Sequence, residues 1–318
     1  MKADPWFQIS RPASPGQLKA LRMHPDHPHE IFRTRDHSGA IGISIAFRDV
    51  VSFPAILPRL RGITIRNGNA PAQLLLTLHG EADSDLFNAL SEDLARSCAE
   101  ERDCQAALNA VLGRLDRWQK MLAHDRKGLL TEQEIRGLFG ELTFLHEELI
   151  PRFGPSAVAF WNGPDGSPQD FAIGSSVVEI KTRAGSGPTR IQISSPEQLW
   201  PLLPKLFLGV YYLALVTIPG QGRSLRDLVD LIRTEVDVPG LRETYESRLE
   251  AVGYIDLPEY GADSFLPGPL DTYEVRQGFP MIAPGSVPDG VEHVTYAIQL
   301  DRCQPFLKAI DWAAIGGQ

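Results

Sequence analysis

Residues 209–218 (GVYYLALVTI) are apolar or aromatic at nearly every position, and this run limits the possible folds more than any other stretch of the chain. A strand whose two alternating sets of side chains are both apolar cannot turn either face to water, so it belongs inside a sheet with helices on both sides. The residues around it supply the other layers. Short strands are expected at 158–161, 170–173, 177–182 and 190–193, and helices at 195–206, 224–236 and 239–252. Two late strands near 272–275 and 294–300 and a short helix around 305–312 complete this half. The turn Gly174-Ser175-Ser176 joins 170–173 to 177–182 as a hairpin.

A helix begins at Thr131, where Glu134 completes a TxxE capping box, and runs to about Leu149 before Pro151 ends it. Ahead of it, Leu86, Leu90, Leu94, Ala107, Val111, Leu115 and Trp118 recur at three- and four-residue steps, which predicts one or two long helices over 83–123. The first 80 residues read differently. Residues 41–47 (IGISIAF) and 62–66 (GITIR) alternate, 73–78 (QLLLTL) is an apolar run, and the polar turns at 36–39 and 67–69 separate them. This predicts a small β-rich N-terminal module over 1–82, after a Pro-rich lead, and a larger α/β (α+β) domain over 83–318. In the lead, HPDHPHE brings His24, Asp26, His27 and His29 together, but Pro25 and Pro28 break any regular scaffold, so a solvated loop is expected rather than a metal site.

Composition narrows the function. With 318 residues, 43% hydrophobic and 22% charged, the chain is neither disordered nor a coiled-coil rod. It has no run of about 18 apolar residues, and its start, MKADPWFQIS, lacks a signal-peptide core, so a cytoplasmic protein without membrane association is expected. Cys98, Cys104 and Cys303 form no CxxC pair and read as reduced thiols. A net charge of −9 argues against coating nucleic acid by charge alone, yet leaves room for a nuclease that draws on metal ions.

The chemistry concentrates in 161–181, WNGPDGSPQDFAIGSSVVEIK. Asp170 opens one hairpin strand, while Glu179 and Lys181 lie two apart on the other and share a face. Carboxylates from adjacent strands can meet at a hard divalent cation, Mg²⁺ or Mn²⁺, which takes one or two of them plus water and phosphate oxygens. The lysine adds a charge that can orient water and stabilise a developing phosphate charge. A solvated Glu/Lys face would equally account for an isolated ExK.

These residues resemble the PD-(D/E)xK nuclease superfamily, whose core runs α-β-β-β-α-β as a mixed sheet flanked by helices. Asp170, Glu179 and Lys181 match its motif, whereas Gln169 stands where the proline is expected, and the literal Pro164-Asp165 lies in a glycine-rich loop. GLFGELTFL, WNGP, QDF, VEIKT and ISSPEQL resemble a family encoded in bacterial restriction-like defence loci, most specifically over 137–200. The resemblance implies a restriction-endonuclease-like core, an Mg²⁺- or Mn²⁺-dependent endonuclease acting on DNA, and partner proteins from a defence operon or a second copy in a homodimer. It also implies that Glu141, beside Gly137 and Gly140, joins Asp170 and Glu179 at the metal, and that Gln198 assists Lys181, although Leu202 replaces the tyrosine of the related QxxxY pattern. Arg183 and Arg190 are candidate DNA contacts, and arginines on a solvated loop explain them equally well. A catalytically silent nuclease fold, serving as a DNA-binding or assembly subunit, remains the alternative function. A metal-free interaction protein is the third. Nothing resembles a GxxxxGK[ST] loop, so any NTP dependence would come from a partner.

Overall fold

The computed structural model describes residues 4–68, 72–80, 84–123, 129–184, 189–200, 203–218 and 220–315. The chain forms two compact units, Met1–Leu129 and Leu130–Gln318. Among the described residues, no helix is long and apolar enough to cross a membrane.

The first unit is built on an antiparallel sheet of β1 (Leu18–Arg22), β2 (Glu30–Asp36), β3 (Ile41–Ala46), β4 (Ile63–Asn67) and β5 (Gln73–Leu78), in the order β1-β2-β3-β5-β4. Of the turn at 67–69, Asn69 lies outside the described residues. β1 and β2 fall in the lead and escape the sequence pattern. All five residues of β1 are exposed, so it lacks the apolar alternation of a half-buried strand and exists through its pairing with β2. Helices α1 (Ser84–Ser97) and α2 (Cys104–Ala123) belong to this unit, so it extends past residue 82. Their apolar stripes need a partner surface, and Arg33 of β2 reaches Glu92 of α1 at 2.5 Å while Trp6 packs against Phe87. The histidine segment is not a solvated loop. His27 and His29 bond the carbonyls of Ala95 and Glu101 at the ends of α1 and the following turn, at 2.9 and 2.7 Å, and His24 meets Glu92 at 2.9 Å. Ala95 lies in the last turn of α1, where carbonyls lack intrahelical main-chain partners and can accept a ring N–H, and Glu101 offers its carbonyl from the segment after the helix.

The second unit opens with α3 (Glu132–Phe144), where the capping box is present as expected: Thr131 and Glu134 exchange side-chain and main-chain bonds. The helix does not stop at Pro151. A π-helical turn at Leu145–Leu149, in which the Ile150 N–H reaches the Leu145 carbonyl, leads into α4 (Ile150–Phe153). Pro151 then sits in a first turn, where a missing N–H costs little. Residues 158–161 are no strand; Gly154–Phe160 is a 3-10 helix. A short apolar run is ambiguous between buried helix and buried strand.

β6 (Phe171–Ile173) and β7 (Ser176–Ala184) form the expected hairpin, with Gly174 at φ 56° in its two-residue turn. β8 (Arg190–Ile193) follows, then β9 (Lys205–Val216), β10 (Arg223–Ser224), α5 (Leu225–Glu235), α6 (Pro239–Ala251), β11 (Ser264–Pro267), β12 (Asp271–Glu274), β13 (Tyr296–Gln299), α7 (Leu300–Cys303) and α8 (Trp312–Ile315). The main sheet runs β10-β11-β9-β7-β6, with β12 also on β9, and among the described residues only β7 and β9 pair in parallel. The fold is therefore mixed α/β.

The apolar run lies in the central strand β9, but its two coverings differ. On one face, α3 approaches so closely that a side chain at Gly140 would overlap the Thr182 γ-methyl. The other face is covered largely by a separate β8–β13 ribbon and α7: Ile191, Ile193, Ile298, Leu300 and Cys303 pack on Val177, Leu206, Leu208 and Val210. β8 is thus outside the main sheet. The helix expected at 195–206 shrinks to a 3-10 turn, Pro196–Leu199, because Lys205 already belongs to β9; residues 201–202 lie outside the described residues. The helix expected at 305–312 is likewise a 3-10 turn, Gln304–Phe306, with α8 beginning only at Trp312.

Gly137 and Gly140 should respond oppositely to alanine. A methyl at Gly137 meets nothing within 4 Å, so Gly137→Ala is expected to stabilise by about 0.5–1 kcal/mol. Gly140→Ala is expected to destabilise by about 1–3 kcal/mol through overpacking. Urea denaturation of the two variants checks the pair.

Candidate active site

The hairpin register places Asp170 one residue ahead of the Phe171–Val178 pair, at the level of Glu179. There its carboxylate accepts the Ile180 N–H at 2.7 Å, an amide the short strand β6 leaves unpaired. Glu179 and Lys181 project from one face of β7. The glutamate is 0% exposed, and its carboxylate lies 2.6 Å from the Lys181 ammonium, whose side chain is 17% exposed. Neither Glu179 oxygen receives a well-aligned hydrogen bond. Gln198, on the 3-10 turn after β8, accepts from Lys181 Nζ at 3.1 Å and from the Ser194 N–H at 2.9 Å. Glu141 reaches the same neighbourhood from α3, where its carboxylate accepts the Trp161 indole N–H at 2.8 Å.

The other expected residues lie differently. Arg183, further along the same face of β7, stacks its guanidinium over the Tyr212 ring at 4.8 Å. Arg190 is exposed at the start of β8. Asp165 of the literal Pro-Asp pair is exposed and ion-paired with Arg248 at 2.7 Å, so the aspartate beside Glu179 is Asp170.

The electrostatics follow from burial. Glu179 is pushed up to about 8, first by loss of water and then by the Asp170 charge, with Lys181 opposing both. Burial also raises Asp170, against the pull of Lys181 and the Ile180 N–H. Glu141 lies well above the usual carboxylate range through burial and the Asp170 charge. Burial pulls Lys181 down, but the charges of Glu179 and Asp170 outweigh it and hold the ammonium above its ordinary value. Three carboxylates thus share a nearly dry region with one ammonium. They do not form a ready cage: among the described residues, no three His, Cys, Asp or Glu side chains are arranged to hold a metal ion. The donor chemistry nevertheless suits a divalent cation, because neither Glu179 oxygen has a well-aligned donor and Mg²⁺ needs only one or two carboxylates beside water.

Two residues that shape the site escape the sequence reading. Gln169 is 1% exposed, and its amide donates to the carbonyls of Glu197 and Trp200 at 2.7 and 3.2 Å, fixing the turn that presents Gln198. Its place in the motif, where proline is expected, was the only signal. Trp161 is the donor to Glu141, and nothing in a single sequence pairs residues so far apart.

Because Glu179 titrates near 8 when folded and at 4.5 ordinarily, the folded chain keeps a proton that the unfolded chain has released between those values. Stability of the metal-free protein therefore falls as pH rises through that window. Glu179→Gln is expected to flatten this fall between about pH 5 and 8, measured as the urea midpoint at each pH.

Comparison with known proteins agrees with the motif. The family DUF4420, described as "Putative PD-(D/E)XK family member", matches residues 2–301. No curated protein and no solved structure matches. Since that match spans nearly the whole chain, including the hairpin that carries Asp170, Glu179 and Lys181, the chain belongs to the PD-(D/E)XK family DUF4420.

Proposed function

We propose that this chain is a divalent-metal-dependent deoxyribonuclease that hydrolyses phosphodiester bonds within DNA, as one component of a restriction-like defence system in the cytoplasm. On this reading α3, β6, β7 and β9 form a restriction-endonuclease-like core. The observation that carries the reading is the juxtaposition on one hairpin of a fully buried Glu179, the Lys181 ammonium 2.6 Å from it and the half-buried Asp170. A buried ion pair is a poor way to gain stability, and strongly shifted carboxylates gathered around a lysine are what a catalytic site requires.

Asp170 and Glu179 would hold Mg²⁺ or Mn²⁺, with Glu141 joining directly or through water. When bound, the ion supplies Lewis-acid polarisation of the phosphate and a more acidic water. Lys181 stabilises the charge that builds on the phosphate and orients the attacking water. Gln198 holds the ammonium in place and is itself held by the Ser194 N–H. Arg183 and Arg190 contact flanking phosphates, positioning the strand without reading sequence. With a net charge of −9, firm DNA binding draws on the metal and on partner subunits, either operon-encoded proteins or a second copy of the chain.

A specific observation favours a second reading, a catalytically silent DNA-binding or assembly subunit. Asp170 is engaged by the Ile180 N–H, and Lys181 is engaged by both Glu179 and Gln198.

Cleavage of plasmid and modified DNA with Mg²⁺ or Mn²⁺ separates the two. Lys181→Ala is expected to lose on the order of 10²-fold in rate, the scale of removing one transition-state donor, with its circular dichroism unchanged. Equal rates in both proteins would remove the lysine from the chemistry. Asp170→Asn and Glu179→Gln are expected to weaken Mn²⁺ binding in calorimetric titration, and unchanged affinity in both would favour the silent subunit.

A further inference from the structure

Resting on the metal-dependent reading above, we infer that the segment Trp161–Asp165, locked by Arg248 of α6, is a positioning device that fixes Glu141 and Asp170 relative to each other. Neither Trp161 nor Arg248 touches substrate in this role. Both act through the acids they hold.

The lock begins at Arg248. Its side chain is 11% exposed, and its guanidinium donates to Asp165 at 2.7 and 3.0 Å, to the Asn162 side-chain oxygen at 3.2 Å and to the Val158 carbonyl. A planar fork with this many partners holds the segment in one conformation, which a flexible point charge could not do. The segment in turn grips Asp170 through the main chain. The N–H groups of Asn162 and Gly163 both reach the Asp170 carbonyl, at 2.8 and 3.0 Å. The approach is close: a Cβ at position 163 would lie 3.1 Å from the Asp170 Oδ1 and 3.2 Å from its Cα, so a side chain there would push on the aspartate.

The second grip is on Glu141. Trp161 is fully buried, faces Tyr245 of α6 at 6.1 Å between ring centroids, and directs its indole N–H at the glutamate, 2.8 Å away. A buried indole needs only an acceptor, and any main-chain carbonyl would satisfy it. A carboxyl as acceptor gives a bond that favours the ionised form against the burial that opposes it, and that sets the direction of the acid. Through Tyr245 and Arg248, one helix therefore determines where acids from α3 and from the β6 strand end stand. Donors behind metal ligands commonly set affinity by 10- to 100-fold.

The full-length protein tests this with Trp161→Phe, which keeps a packed ring and removes the donor, and with Arg248→Met, which keeps an apolar stem and removes the fork. Mn²⁺ affinity is measured by calorimetry, kcat and KM on plasmid DNA, and the thermal midpoint by scanning calorimetry. Leu249→Ala is the control, since Leu249 is buried on the same helix and is absent from the clamp. The expected result is Mn²⁺ affinity weakened about tenfold or more in both clamp variants, with kcat lowered and KM for DNA nearly unchanged. Leu249→Ala should lower the thermal midpoint while leaving Mn²⁺ affinity alone. Should Trp161→Phe fail to fold, Arg248→Met decides the matter by the same readouts. Wild-type Mn²⁺ affinity and kcat in the clamp variants, alongside lost Mn²⁺ binding in Asp170→Asn, would overturn the clamp while leaving the nuclease reading standing. A wild-type protein that binds no Mn²⁺ would overturn both.

Discussion

The parallel pairing of β7 with β9 is the constraint on which the second unit depends. Its register sets Val177 beside Leu206, Glu179 beside Leu208 and Lys181 beside Val210. The same alternation turns Ile180 and Thr182 toward α3, where Gly140 makes room for them. Because side chains alternate strictly along a strand, a slip of one residue would put Ile180 where Glu179 stands and drive the charges into the helix layer. The candidate site and the core are thus specified by the same row of backbone hydrogen bonds.

The features of this arrangement that were legible in the sequence are those decided locally. The capping box at Thr131, the Gly174 hairpin and the doubly apolar strand each announce themselves within a few residues, and the Asp170, Glu179, Lys181 set follows from the hairpin and the motif. Glu141 and Gln198 became readable only through resemblance. What a single sequence withholds is pairing at a distance. β8 alternates like a strand of the main sheet, yet it joins β13, about a hundred residues away, because the face of β7 and β9 left open by α3 needed a cover. The 158–161 run is apolar in either structure. The bond from Gln169 to the Glu197 carbonyl and that from Trp161 to Glu141 depend on which elements fold against one another, and no local pattern encodes them.

Two buried acids in this chain show how differently a protein can treat the same problem. In the first unit, Asp93 is 2% exposed and receives Arg114 at 2.5 and 2.9 Å and the Trp118 indole at 2.8 Å. Its charge is fully answered, as expected of a group whose task is to join two helices. Glu179 is equally dry, and the Lys181 ammonium and the Asp170 main chain approach it without good alignment. The fold answers Asp93 with well-aligned donors, whereas it leaves both Glu179 oxygens without one.

The π-helical turn at Leu145–Leu149 bears on how this chain can vary in length. Such a turn holds one residue more than an α turn and is the usual trace of a single-residue insertion absorbed within a helix. Deleting one residue there would restore α geometry and leave the helix on either side close to its present phase, whereas a deletion elsewhere in the helix would rotate everything downstream by about 100° and draw it back by ~1.5 Å. The turn lies between Glu141 and Trp161, which meet across a fixed separation of 20 residues. The π turn is therefore the place within this interval where the chain can lose its extra residue with Glu141 and Trp161 still in phase, and a change of one residue elsewhere in the helix would turn them apart.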